Sequence, residues 1–241
     1  MNKKELLLAA SAWFPRPNRH YTFEPNTITG NVLTDLSDNQ NGVIVGSPVF
    51  AVGRRGNCVK FNGNAADNIN IGNVDFIHQT GVFSIVFWAK TQYTDSGALL
   101  AICGNAVGSS DFGFFVAFDD RSAVSRNRAL LFGLFDKSGS SVGAVIDFAV
   151  NGVLPIDGEY HHYAITYNNQ TAYSYIDGNQ VGGMNGKRQL NNSSTGVGTL
   201  IGALSNAGTA LFQYNGEIDE FRIMPKTLTP QQVKRLYQTG Q

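Results

Sequence analysis

The sequence predicts an all-β fold, a sandwich of two antiparallel sheets, on three observations. Ten short segments are rich in β-branched and aromatic residues: HYTFE, NCVKF, NINI, VFSIVFWAK, ALLAIC, FGFFVAF, ALLFGLFD, AVIDFAV, YHHYAITYN and TAYSYIDG. Clusters of Gly, Asn, Asp and Ser separate them, and the chain's 27 glycines suit many tight turns. Its 241 residues are ordinary for a single all-β domain, and 42% hydrophobic against 15% charged residues allows a full core and argues against disorder.

The segments differ in what they cover. In VFSIVFWAK, Phe83, Ile85 and Phe87 share one face while Val86 and Trp88 take the other. A strand apolar on both faces is central and covered twice. Cys58 and Cys103 lie in apolar strand segments and read as buried thiols, with a disulfide between them left open. The net charge is zero, so no field of one sign draws nucleic acid or anionic lipid. No apolar run reaches the ~20 residues that a membrane span needs.

Helical patterns stand at the two ends. TPQQVKRLYQTG carries Thr229 as N-cap, Pro230 at the first helical position, Gln232 completing a capping box and Gly240 as the stop. MNKKELLLAASAWF imitates a secretion signal, but its apolar run is short and Glu5 interrupts its basic start. The expectation is a retained helix with Leu6, Ala9, Ala10 and Trp13 on one side, ended by Pro15 and Pro17. Residues 1–17 are therefore read as an arm and 18–241 as the sandwich.

Several segments in order resemble the laminin G-like branch of the concanavalin A-like lectin/glucanase superfamily. They are HYTFE with LTDLSDNQNG, CVKFNGNAADNINI, VFSIVFWAK, EYHHYAITYNNQTAYSYIDGNQV, and LIGALS followed by YNGEIDEFRIMPKTLTPQQVKRLY. The resemblance covers about residues 19–240 and implies a jelly roll of two curved antiparallel sheets. It implies no activity, because this fold carries lectins, adhesion modules, hydrolases and viral structural proteins.

Glucanases of that superfamily carry Glu-x-Asp-x-Glu, which GEIDEFRI at Gly216–Ile223 imitates. A retaining glycosidase needs two carboxyl groups about 5–5.5 Å apart. On a regular strand Glu217, Asp219 and Phe221 face one way, and Ile218, Glu220 and Arg222 the other. Phe221 and Arg222 stand where the acid/base is wanted, so no catalytic residue is assigned and the chain is read as a non-enzyme. The resemblance implies a candidate structural calcium between Glu24 and Asp219; no other cofactor is required. His161 and His162 are strand neighbours that face opposite sides, so they cannot chelate together. For a glycan site, Tyr93, Asn105, Phe112 and Phe212 fall in or beside loops and are the weak candidates.

The expected function is a virion surface or assembly protein of bacteriophage type, a decoration, fibre or tail component. Its arm would dock through Leu6, Ala9 and Trp13 on other virion proteins or symmetry mates. The alternatives are a carbohydrate-binding adhesion module for surface glycans and, behind it, a glycan hydrolase or lyase.

Overall fold

The structure is a computed structural model that describes residues 15–64, 66–91, 99–106, 112–119, 130–134, 144–148, 155, 157–185 and 197–240. The expected helix of the arm, with Leu6, Ala9 and Trp13, lies outside the described residues, as does Tyr93.

The chain opens with β1 (Arg19–Tyr21), a single 3-10 turn at Pro25–Thr27, β2 (Ile28–Thr29), β3 (Val32–Leu33), β4 (Gly42–Val45) and β5 (Val49–Val52). Next come β6 (Asn57–Asn62), β7 (Asn68–Asn70), the short helix α1 (Phe76–Thr80) and the ten-residue β8 (Val82–Thr91). β9 (Leu99–Ala106), β10 (Phe112–Asp119), β11 (Leu130–Leu134) and β12 (Ala144–Phe148) follow. The last part holds β13 (His161–Asn168), β14 (Thr171–Ile176), β15 (Asn179–Asn185), β16 (Leu200–Ile201), β17 (Leu204–Asn206), β18 (Thr209–Leu211), β19 (Asn215–Met224) and helix α2 (Pro230–Thr239).

These strands form two sheets. The first runs β15-β14-β13-β8-β19-β6-β5, with β1 also paired to β19. The second runs β12-β11-β10-β9-β16-β7-β4-β3-β2, with the β17–β18 hairpin joined to β9. Among the described residues pairing is antiparallel except between β17 and β9.

Period-2 alternation places the core. Phe83, Ile85 and Phe87 of β8, Tyr163, Ile165 and Tyr167 of β13, and Ile218, Phe221 and Ile223 of β19 face inward. They meet Phe114, Val116 and Phe118 of β10 and Leu130 and Phe132 of β11. Ring pairs tie the two layers, with Phe83–Phe132 centroids at 5.7 Å and Phe118–Tyr163 at 5.0 Å. Such pairs add about 0.5–1.5 kcal/mol each beyond burial.

β8 is covered twice, as its pattern predicts. Its outer Val86 packs with Ala164, Met224, Val233 and Leu236 under α2. That helix starts where its capping box does. Thr229 Oγ1 accepts from Gln232 N at 3.3 Å, Gln232 Oε1 accepts from Thr229 N at 2.9 Å, and Gly240 closes the helix at φ 74°. Cys58 and Cys103 are both buried and free, so the open question of a disulfide closes.

Candidate functional site

The acidic strand β19 departs from the expected alternation. Its register on β8 shifts between Asp219 and Arg222, and Glu220 sits at φ 51°. This is a β-bulge, in which two residues oppose one and the phase of the strand reverses. Ile218 faces the core before it, and Phe221 and Ile223 face the core after it. Phe221 therefore does not share a face with Glu217 and Asp219, and the straight-strand separation of Glu220 from them is corrected. The bulge turns Glu217, Asp219, Glu220 and Arg222 all outward from the core.

Each of these acids has a structural partner. Glu217 Oε2 accepts from Tyr160 OH at 2.7 Å, and Lys60 Nζ lies 3.6 Å from its other oxygen. Glu220 is ion-paired to Arg222 and stands 3.2 Å from His20 Nε2. Burial pushes the Glu220 carboxyl up, but the His20 contact and the Arg222 charge outweigh it and hold it below the usual range. Arg222 Nε also lies 2.9 Å from His20 Nε2, so the three side chains form one cluster.

Asp219 has no exposed surface. Burial pushes its carboxyl up to about 7, against the backbone amide of Arg55, which donates to Oδ2 at 2.7 Å. Its Oδ1 is buried without a partner among the described residues. Glu24 reaches the same turn, with Oε1 accepting from Asn57 N at 3.0 Å. Glycine is demanded on both sides. A Cβ at Gly53 would lie 2.8 Å from Asp219 Oδ2, and one at Gly56 would overlap Glu24 Oε1. The structure thus brings both expected calcium ligands to the Gly53–Gly56 turn. The orphaned Oδ1 and the all-oxygen donor set suit a calcium ion, which takes six to eight oxygens. Among the described residues no three His, Cys, Asp or Glu side chains form a metal-sized group.

The histidine pair splits as expected. His161 is clamped between Asp177 (Nδ1, 2.7 Å) and Asp157 (Nε2, 3.1 Å). Burial lowers its basicity, but the two carboxylates outweigh it and leave it raised. His162 turns outward under α2 against Trp88 and Tyr237, with ring centroids at 5.3 and 5.9 Å. Burial, with the charges of Arg222 and Arg55, drives it down to about 3.

A groove opens on the outer face of the second sheet. It has a volume of about 180 Å³ and is lined by Leu99, Ala101, Phe115, Ala117, Leu204 and Phe212. Two glycines shape it. A Cβ at Gly104 would lie 2.7 Å from Leu204 Cδ1, and one at Gly133 would overlap the Phe115 ring, which lies on that bare backbone. Phe212 is 41% exposed and adopts φ 54°, while its carbonyl accepts from Ala101 N at 2.7 Å. Backbone strain of this kind, in a non-glycine residue at an open cleft, is concentrated at functional positions.

Of the glycan candidates, then, Phe212 lines the groove. Asn105 is wholly buried, with Oδ1 accepting from Phe114 N at 3.3 Å, so it is corrected to a structural residue. Phe112 is described only as part of β10. Sequence reasoning missed Phe115 and Leu204. The available signal was FGFFVAF itself, which is apolar on both faces although no helix is predicted to cover its outer side.

Comparison with known proteins places this geometry. The Laminin_G_3 model, described as concanavalin A-like lectin/glucanases superfamily, matches residues 62–234. No curated protein matches the chain in sequence. Among solved structures, domain 4 of AbnA, a GH43 extracellular arabinanase from Geobacillus stearothermophilus in complex with arabinotriose, aligns with TM-score 0.66 and 21% identity. That match covers 92% of this chain and 98% of the other. A botulinum neurotoxin serotype D/C binding domain aligns with TM-score 0.67 and 18% identity over 94% of this chain. The binding domain of Paraclostridial Mosquitocidal Protein 1 aligns with TM-score 0.63 and 16% identity over 92% of it. The chain spans 52% of each of these toxin domains. At these identities the structural matches show the fold. By the family match over most of its length, the chain belongs to the concanavalin A-like lectin/glucanases superfamily.

Proposed function

We propose that the chain is a non-catalytic carbohydrate-binding sandwich, with its glycan seated in the groove on the outer face of the second sheet. One observation carries this reading. The half-exposed Phe212 is held at positive φ over an apolar cleft floored by Phe115. The C–H face of a sugar ring packs on such an aromatic, and polar groups at the rim fix its orientation. The arabinotriose complex of the arabinanase domain, a structural neighbour of similar length, supports a glycan as the ligand class.

The absence of catalysis in this proposal rests on β19. Glu217, Asp219 and Glu220 are engaged by Tyr160 and Lys60, by the Arg55 amide, and by Arg222 and His20 respectively. A calcium ion belongs to the same proposal. Glu24 and Asp219 would hold it at the Gly53–Gly56 turn, with backbone carbonyls completing the oxygen set. The biological setting we propose is a virion surface, where the sandwich is displayed as a decoration, fibre or tail component and the arm engages neighbouring proteins.

The test is a glycan panel read by isothermal calorimetry, with Phe212→Ala beside the wild type. Binding that falls at least about tenfold in the variant, a loss of about 1.4 kcal/mol, is expected. Unchanged binding would move the site elsewhere. Reducing-end release that disappears in Glu217→Gln would replace this proposal with a glycan hydrolase.

A further inference from the structure

Helix α2 ends in carbonyls that its own residues leave open. The last carbonyls of a helix have no intrahelical partner, and α2 carries no basic residue in its last turn to meet them. A residue far away in the chain does so. Arg55 Nη1 donates to Thr239 O at 3.0 Å, and Nη2 donates to Tyr237 O at 3.2 Å. A guanidinium at this end also opposes the negative pole of the helix dipole. Gly240, at φ 74°, keeps the place open, because a Cβ there would overlap Arg55 Nη1.

The same residue belongs to the turn where Glu24 and Asp219 converge. Arg55 stands between Gly53 and Gly56, and its backbone amide donates to Asp219 Oδ2 at 2.7 Å. One residue thus holds Asp219 by its main chain and the end of α2 by its side chain. Between the two bonds, its guanidinium carbon lies 5.7 Å from the Trp88 ring centre. Tyr237 of α2 covers that ring with centroids 5.6 Å apart, and Trp88 stands opposite Asp219 in the β8–β19 ladder. Among the described residues Asp219 makes no direct hydrogen bond to α2, and Arg55 bonds to both.

We infer that Arg55 is a positioning residue that couples the cation turn to the docking of the C-terminal end of α2. For its effector the inference rests on the calcium reading of Glu24 and Asp219. With the Asp219 carboxylate held ionised, its bond to the Arg55 amide is charge-assisted. The turn is then ordered, and the guanidinium is presented to Tyr237 O and Thr239 O. Such coupling is reciprocal: the factor by which calcium favours docking is the factor by which docking favours calcium. Electrostatics alone has the opposite sign. Arg55 is a cation beside the site, so removing only its charge would favour calcium.

Hydrogen exchange in calcium-free buffer tests the coupling first. The reporters are the amides of Gln238, Thr239 and Gly240, measured relative to Val233 N, whose bond to Thr229 O opens the helix. In Arg55→Ala that ratio is expected to rise about two- to fivefold, and in Asp219→Ala about twofold. Taking the ratio within one helix cancels a loss of global stability. An unchanged ratio in Asp219→Ala overturns the inference, since the turn would not reach the helix. Calorimetric titration with calcium is the second readout. Arg55→Ala is expected to weaken calcium binding a few-fold, and Arg55→Lys, which keeps the charge and a donor, to recover part of the loss. Binding that is unchanged or tighter in Arg55→Ala overturns the inference. A wild type that binds no calcium refutes the calcium reading and removes the effector, while the exchange ratio still decides whether Arg55 couples turn to helix.

Discussion

Replacing Asp219 by asparagine should stabilise the protein in calcium-free buffer at neutral and higher pH. The wild-type carboxyl is fully buried and is pushed up to about 7, while in the unfolded chain it titrates near 3.9. The sign follows from that order. Between roughly pH 4 and 7 the unfolded chain gives up this proton and the native state keeps it, so stability falls as pH rises through that window. Above it, the accumulated cost is about 3 pH units at 1.36 kcal/mol each, or about 4 kcal/mol. Asparagine escapes this cost and can still accept the Arg55 amide. It also places an amide where Oδ1 has no partner, at about 1–3 kcal/mol. The net gain is about 1–3 kcal/mol at roughly pH 8.

The difference between two pH values is sharper, because the unpartnered amide cancels. Near pH 5 the wild type has paid only about 1.5 kcal/mol, so the advantage of the variant should shrink by about 2–3 kcal/mol from pH 8. Urea unfolding of both proteins with EGTA at the two pH values measures it. A stability difference independent of pH would refute the buried, uncompensated carboxyl. Calcium gives the converse experiment. An ion on Oδ1 favours the ionised carboxylate, so calcium should raise the melting temperature of the wild type and leave Asp219→Asn unmoved.

His162 should govern acid unfolding. Its folded value is driven to about 3 against 6.5 unfolded, so its contribution is complete above about pH 6.5 and is lost as pH falls toward 3. Unfolding of His162→Phe followed by circular dichroism through that window should show a markedly smaller loss. Phe212→Gly relieves the positive-φ strain but loses the packing of the half-buried ring, so urea unfolding should stay within about 1 kcal/mol of wild type while glycan affinity falls. Gly133→Ala should cost about 1–3 kcal/mol by forcing the Phe115 ring off the sheet, and should weaken glycan binding with it. Thr229→Ala removes the cap of α2 and should cost about 1 kcal/mol in the same assay.

What the sequence made legible was whatever repeats locally. The double coverage of β8 was readable because Phe83, Ile85 and Phe87 alternate with Val86 and Trp88, and both sets are apolar. The limits of α2 were readable because Thr229, Gln232 and Gly240 act on their own neighbours. The opposition of His161 and His162 followed from strand geometry alone. The bulge at Glu220 was not readable, since its cause is the demand that Phe221 and Ile223 reach the core, a requirement set by β8 more than 120 residues away. The groove was half visible in FGFFVAF, but its shape depends on Gly104 and Gly133 lying across neighbouring strands. Asn105 looked like a loop ligand because composition does not report whether an amide is already spent on a backbone N–H.

The place of β19 has a consequence for how the protein comes into being. Residues 215–224 form a strand inserted between β8 and β6, and the same strand receives β1 along part of its length. The pairs β8–β13–β14 and β5–β6 precede it in the chain, and among the described residues no other strand of this sheet pairs with both β8 and β6. Until it is made, the inner faces of both groups lack Ile218, Phe221 and Ile223, and two unpaired sheet edges stand open to other chains. Completion is a single late stroke that closes the seam, secures the amino-terminal strand and sets the final helix on Val86. A nascent chain paused just before residue 215 should thus be far more prone to aggregation than its small missing length suggests.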